Sequence, residues 1–141
     1  AIFGEKDYQQ LAVIRQFVRD LDIPVKILGG TLVREEDGLA YSSRNAYLNP
    51  DDRAVAAQFN VILKALVDQI QRGASIAESE EQAKQALLSA GFKAVDYVSV
   101  VDPVTLHPIS EFAAEARVLA VARIGGVQLL DNMPITPIGE Y

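Results

Sequence analysis

Five side chains able to hold a charged or polar ligand crowd into the seven-residue stretch "GEKDYQQ", Gly4 to Gln10. A lysine supplies a mobile positive charge, the carboxylates and carboxamides supply acceptors and donors, and the leading glycine lets the backbone turn. A glycine turn at the carboxyl end of a parallel strand, opening a helix, is where α/β sheets bind ligands, and a helix N-terminus favours anions. The same residues also make a plain helix start, with Asp7 as N-cap, Gln10 three residues on as its capping-box partner, and Glu5 and Lys6 in solvent. The two readings do not exclude each other.

A second cluster is "YSSRN", Tyr41 to Asn45. Two hydroxyls and a guanidinium in succession can donate several hydrogen bonds to phosphate oxygens, the arginine in bidentate fashion. Its plainer reading is a polar loop with a serine cap. His107, in "TLHPIS" ahead of a proline, reads as a turn residue, and "REEDG" (Arg34–Gly38) as a solvated turn; neither is given a chemical role.

Composition narrows the chemistry. The chain has 141 residues, half of them hydrophobic, enough to bury the core of one domain or of a small domain plus part of another. It has no cysteine, which excludes disulfides and thiol catalysis and suits a reducing cytosol, and its one histidine leaves little for a zinc site. No apolar run is long enough to span a bilayer, so a soluble protein is expected. A net charge of −6 argues against binding nucleic acid by bulk electrostatics. Residues 1–44 carry six Lys/Arg against seven Asp/Glu, whereas residues 45–141 carry seven against twelve. An anionic ligand is therefore expected at the near-neutral front.

The elements that must position these clusters can be read from periodicity. "AIF" ends at Gly4, and Leu11, Ile14, Phe17, Val18 and Leu21 then recur at helical spacing. Pro24 stops that helix, and "VKILGG" reads as a second strand. Strand, helix and strand make one βαβ unit, expected to be parallel and right-handed. Nothing later repeats the pattern, so residues 1–32 are expected to be the end of a larger α/β domain whose first part is absent here. The remainder, 33–141, is expected to form a small α+β unit with two helices and an antiparallel sheet. Asn49 and Pro50 open one helix running toward Gly73, and Ser75 caps another to about Ala90. "KAVDYVSVVD" alternates as a strand, and "ARVLAVARIGGVQLLDN" reads as two strands around a "GG" turn.

At this point the motifs match a known family. "FGEKDYQQLAVIRQFVRDLDIPVKILGG", then "VREEDGLAYSSRNAYL" and, near the end, "LLDN" resemble the C-terminal half of the pantothenate synthetase, or pantoate–beta-alanine ligase, family over nearly the whole chain. The resemblance implies a Rossmann-like N-terminal nucleotide domain followed by a smaller C-terminal lid, in a cytoplasmic, homodimeric parent. It implies ATP-dependent joining of pantoate and beta-alanine through a pantoyl adenylate, with Mg2+, giving pantothenate, AMP and pyrophosphate. Neither nucleic acid nor membrane is an implied partner.

Carried over residue by residue, the resemblance implies that Gly4, Glu5, Lys6 and Asp7 line the ATP site, with Lys6 near the phosphates and Asp7 near the ribose. Gln10 matches the glutamine that holds pantoate, Val33 the position whose backbone meets the adenine, and Tyr41, Ser42, Ser43 and Arg44 the loop over the phosphates. Many relatives have Met or Leu where Tyr41 stands. Lys6, Ser42, Ser43 and Arg44 would carry the catalysis by aligning groups and neutralising phosphate charge. The family's upstream HIGH-like histidine motif and its other pantoate glutamine are not in these 141 residues, so the chain by itself is expected to be inactive. A non-catalytic binding module keeping the fold is the alternative, as is a parent fused to a cytidylate kinase, which a Walker-type glycine loop beyond Tyr141 would identify.

Overall fold

Parallel pairing joins the first two strands, β1 (Ile2–Gly4) and β2 (Leu28–Gly30), in the register Ile2 to Leu28, Phe3 to Gly29 and Gly4 to Gly30. The helix between them, α1 (Tyr8–Asp20), ends within a residue of its sequence-based limit. The computed structural model describes residues 2–4, 8–21, 28–30, 33–40 and 43–137, with the backbone alone at 2–4, 17–20, 28–30, 43 and 44. The expected parallel βαβ unit is thus present.

After a 3-10 helix at Ser43–Tyr47 come α2 (Pro50–Ala56), α3 (Gln58–Gln71) and α4 (Ile76–Ala90). The caps are those expected: Asn49 accepts from the Asp52 amide, and the Ser75 side chain accepts from the Glu78 amide. One expectation is corrected. The helix foreseen from Pro50 toward Gly73 is divided at Ala57, so three helices stand where two were expected. At the division Ala57 keeps a helical backbone (φ −61°, ψ −22°), and Asn60 Nδ2 donates to the Ala57 carbonyl at 2.9 Å and to the Asp37 carbonyl at 3.0 Å. A side chain inserted at that carbonyl competes with the regular backbone ladder, a recognised cause of helix breaks.

Strands β3 (Ala94–Val101), β4 (Ala116–Ile124) and β5 (Val127–Ile135) form an antiparallel sheet in that order, with β4 and β5 joined through Gly125-Gly126 as the expected hairpin. Helices α3 and α4 cover one face. Phe59, Leu63, Leu66 and Ile70 repeat at helical spacing along α3 and meet Ala83 and Leu87 of α4 and Val100, Val118 and Ala122 of the sheet in one buried core. Phe59 and Phe92 stack edge to face with centroids 5.6 Å apart.

The outer edge of β3 is covered near its end. The Val100 amide donates to Glu80 Oε2 at 2.8 Å, and the Val100 carbonyl accepts from the Ile109 amide at 3.1 Å. Both of its outward backbone groups are therefore bonded.

Candidate functional site

Described residues that flank the two candidate loops are held by side chains to which the sequence alone assigns no role. Arg34 and Ala40 form an antiparallel bridge that closes the turn between them, with Gly38 N donating to Glu35 O at 2.8 Å. Gly38 adopts φ +88°, and a Cβ there would lie 2.5 Å from Asn60 Oδ1. Only a glycine fits this approach without displacing the helix break. Arg53 of α2 donates to Glu35 and, at 2.7 Å, to Asp37. The hydrogen bond from Arg53 holds the Asp37 carboxyl below its ordinary value, with desolvation acting against it. "REEDG" is a turn, as expected, but more than a solvated one. It is bonded to α2 and seated on α3.

Arg34 leaves this turn toward the sheet. Its guanidinium meets Asp131 as a fork, Nη1 to Oδ2 at 2.7 Å and Nη2 to Oδ1 at 2.8 Å, and Nη1 also donates to Gly38 O at 2.9 Å. The Asp131 side chain is 1% exposed and that of Arg34 25%. Removing one partner of such a pair strands a buried charge, which typically costs about 3–5 kcal/mol. A second oxygen contact of the carboxylate, 2.7 Å from the Asn132 amide to Asp131 Oδ1, completes its bonding.

Asp131 and Asn132 are successive residues of one strand, so their side chains leave opposite faces of the sheet. Asp131 stands opposite Ala120 on the helix-covered face, and Asn132 opposite Leu119 on the other. On that other face Asn132 Oδ1 accepts from Arg117 Nε at 2.9 Å, and the Arg117 guanidinium lies 4.2 Å from the centre of the Tyr8 ring. Tyr8, the first residue of α1, donates its hydroxyl to Pro103 O at 2.6 Å. Close by, burial pushes the Tyr97 phenol up from its ordinary value, against a hydrogen bond with Gln9. Tyr8, Gln9, Tyr97, Leu130 and Asn132 line a cavity of about 30 Å3, room for a water and far too small for a nucleotide.

The structure places the sequence-predicted residues as follows. Gly4 ends β1 opposite Gly30. Gln10 is exposed on α1, and Val33 is 67% exposed one residue before the Arg34 bridge. Ser43 and Arg44 begin the 3-10 helix, while Glu5, Lys6, Asp7, Tyr41 and Ser42 lie outside the described residues. The ends of the 41–44 loop are brought together: buried Asn45 donates from Nδ2 to Ala40 O at 3.2 Å, on the far side of the Arg34 bridge. His107 is exposed in the turn after Asp102, as expected, its carbonyl accepting from the Asp102 amide. Arg34, Asp131, Asn132, Arg117 and Tyr8 were missed as site-related residues. Their one local signal is the polar "DN" interrupting the apolar run of β5.

Fold and site together define an α/β protein in which a parallel βαβ unit is tied, through a helix-backed antiparallel sheet, to a serine-arginine loop. The family model described as Pantoate-beta-alanine ligase matches residues 1–134, and the chain belongs to that family. The pantothenate synthetase of Sphingopyxis alaskensis is 50% identical over 135 residues, which cover 96% of this chain and 48% of that protein. The crystal structure of pantothenate synthetase from Thermus thermophilus is similar with a TM-score of 0.89 at 44% identity, over 97% of this chain and 50% of that one. A pantoate-beta-alanine ligase from Francisella tularensis, solved in complex with beta-gamma ATP and beta-alanine, gives a TM-score of 0.66 at 30% identity over 94% of this chain and 42% of that one. The chain spans about half the length of the curated relatives it matches and corresponds to their C-terminal half.

Proposed function

We propose that the chain is the C-terminal part of an ATP-dependent ligase that condenses pantoate with beta-alanine to give pantothenate, AMP and pyrophosphate. The observation that carries this reading is the family match over residues 1–134. Residues 1–32 are then the last βαβ piece of a Rossmann-like nucleotide domain, and residues 33–141 the lid. The parent works as a homodimer in the cytoplasm, and residues 1–141 alone are inactive because the histidine motif and a second pantoate glutamine belong to the other half.

In this reading Gly4, Glu5, Lys6, Asp7 and Val33 hold ATP, Gln10 holds pantoate, and Tyr41, Ser42, Ser43 and Arg44 fold over the phosphates. The pantoate carboxylate attacks the α-phosphorus and pyrophosphate leaves. The beta-alanine amine then attacks the acyl carbon of the adenylate, loses a proton, and AMP leaves. No protein nucleophile is needed. Lys6, Ser42, Ser43 and Arg44 act by aligning the reactants and offsetting charge, and closure of the loop keeps water from a hydrolysable adenylate. Among the described residues no group of three or more His, Asp or Glu side chains could cage a metal ion. Mg2+ is in this reading carried by the nucleotide phosphates, as this cation commonly is.

Lys6→Ala in the full-length enzyme tests the proposal. A cation set on phosphate charge stabilises the transition state more than the ground state, so single-turnover adenylate formation at saturating ATP should fall about a hundredfold while ATP affinity changes far less. An unchanged rate returns Lys6 to a solvated helix start. ATP binding without any adenylate in the unmutated enzyme would favour a binding module instead.

A further inference from the structure

We propose that Tyr8 and Gln9 form a releasable joint, which pins α1 to the outer face of the antiparallel sheet and lets it lift away while the sheet and its helices stay folded. The inference concerns described side chains alone and stands whether or not the functional reading above holds.

The contacts of the α1 start converge on these two residues. The Tyr8 hydroxyl donates to Pro103 O at 2.6 Å, and the Arg117 guanidinium lies 4.2 Å from the centre of its ring. Gln9 shares a hydrogen bond with the Tyr97 side chain. Both residues line the cavity of about 30 Å3, together with Leu119, Leu130 and Asn132. The first turn of α1 therefore meets β3, β4, β5 and the turn after β3 at once. That turn is built to present the Pro103 carbonyl. Asp102 Oδ1 accepts from the amides of Val104 at 2.8 Å and Thr105 at 2.9 Å, Asp102 O accepts from the Leu106 amide at 2.9 Å, and Leu106 is held at φ +60°. A leucine in that region is strained and stays there only when its surroundings fix it. The seat is rigid.

The two faces of the sheet are joined to their neighbours by different means. On the helix-covered face α3 and α4 interlock with the sheet through apolar side chains. On the outer face the pin is a hydroxyl, a carboxamide and a ring beside a cation, above a void with room for a water. When such a joint opens, water replaces each polar partner, so one hydrogen bond shifts the equilibrium by a factor of only about two to ten. Polar contacts between parts of one chain are the ones that yield to relative motion.

Spin labels at Val13→Cys on α1 and Val61→Cys on α3, both exposed positions, report the joint in the full-length protein once any other cysteine is replaced. The wild type should give one dominant separation. Tyr8→Leu removes both the hydroxyl and the ring that faces the cation, and should raise the ratio of long to short separations at least about tenfold, with hydrogen exchange of the β4 amides unchanged. Tyr8→Phe removes only the bond to Pro103 O, should raise that ratio about fivefold, and decides the matter should Tyr8→Leu fail to fold. Arg117→Met should have a smaller effect in the Tyr8→Leu background than alone, because ring and cation act on each other.

Unchanged separations in Tyr8→Leu, or in Tyr8→Phe in its stead, overturn the joint. A long separation that comes only with faster β4 exchange overturns it too, since α1 then leaves only when the sheet unfolds. Independent effects of Tyr8→Leu and Arg117→Met overturn the ring and cation as its pin.

Discussion

Arg44 follows two serines at the start of a 3-10 helix, in a loop whose flanks are fixed by the Arg34–Ala40 bridge and the Asn45 clasp. If this loop clamps phosphate, Arg44→Lys keeps the charge but loses the planar fork, and one charge-assisted hydrogen bond goes, at about 1.5–3 kcal/mol of transition-state stabilisation. An exposed arginine with no ligand would show a change within about 0.5 kcal/mol in stability and none in rate. Ser42→Ala with Ser43→Ala should be less than additive with Arg44→Lys when all three act on one closed loop. Measured kcat/KM for ATP in the single, double and triple variants decides between these; wild-type kinetics in Arg44→Lys rejects the clamp. The residue types at these positions are read from the sequence as a phosphate loop because phosphate chemistry asks for donors and cations. Arg34 was not, since its partner Asp131 stands 97 residues away and no local pattern announces a pairing across that span.

Among the elements, those specified by nearby residues were the legible ones. Asn49 with Pro50, Ser75, the glycine pair at 125–126 and the spacing of Leu11 and Ile14 each act within a turn or two, and the helix starts, the hairpin turn and α1 stand where they were expected. The break at Ala57 was missed because Asn60 looks locally like an ordinary polar residue of a helix. Its contact with the Asp37 carbonyl, 23 residues away, leaves no mark in the local pattern. That contact makes a sharp prediction. Gly38→Ala would force a Cβ against the Asn60 carboxamide and hold a non-glycine residue at φ +88°, so it should destabilise the fold by about 1–3 kcal/mol. Asn60→Ala in the same background should restore part of this loss by removing the collision. Denaturant unfolding of both variants is the check, and a Gly38→Ala protein as stable as wild type would show that the turn gives way without resistance.

At the scale of the whole molecule, the antiparallel sheet has different tasks on its two faces. One face builds the core with α3 and α4, while the other receives the start of α1 through Tyr8 and Arg117. The bonded backbone of Val100 at the sheet's margin bears on how the folded chain behaves in company. An open strand margin offers amides and carbonyls on which a neighbouring molecule can add a strand, and such growth leads to insoluble aggregates. At Val100 the Glu80 carboxylate and the Ile109 amide already occupy those groups. Glu80→Ala would uncover the amide while leaving the core untouched. Light scattering across a concentration series should show that variant aggregating at concentrations where the wild type stays dispersed, and identical curves would count against this protective role. On this expectation, one carboxylate on a helix sets how much of this protein a cell or a test tube can hold in solution.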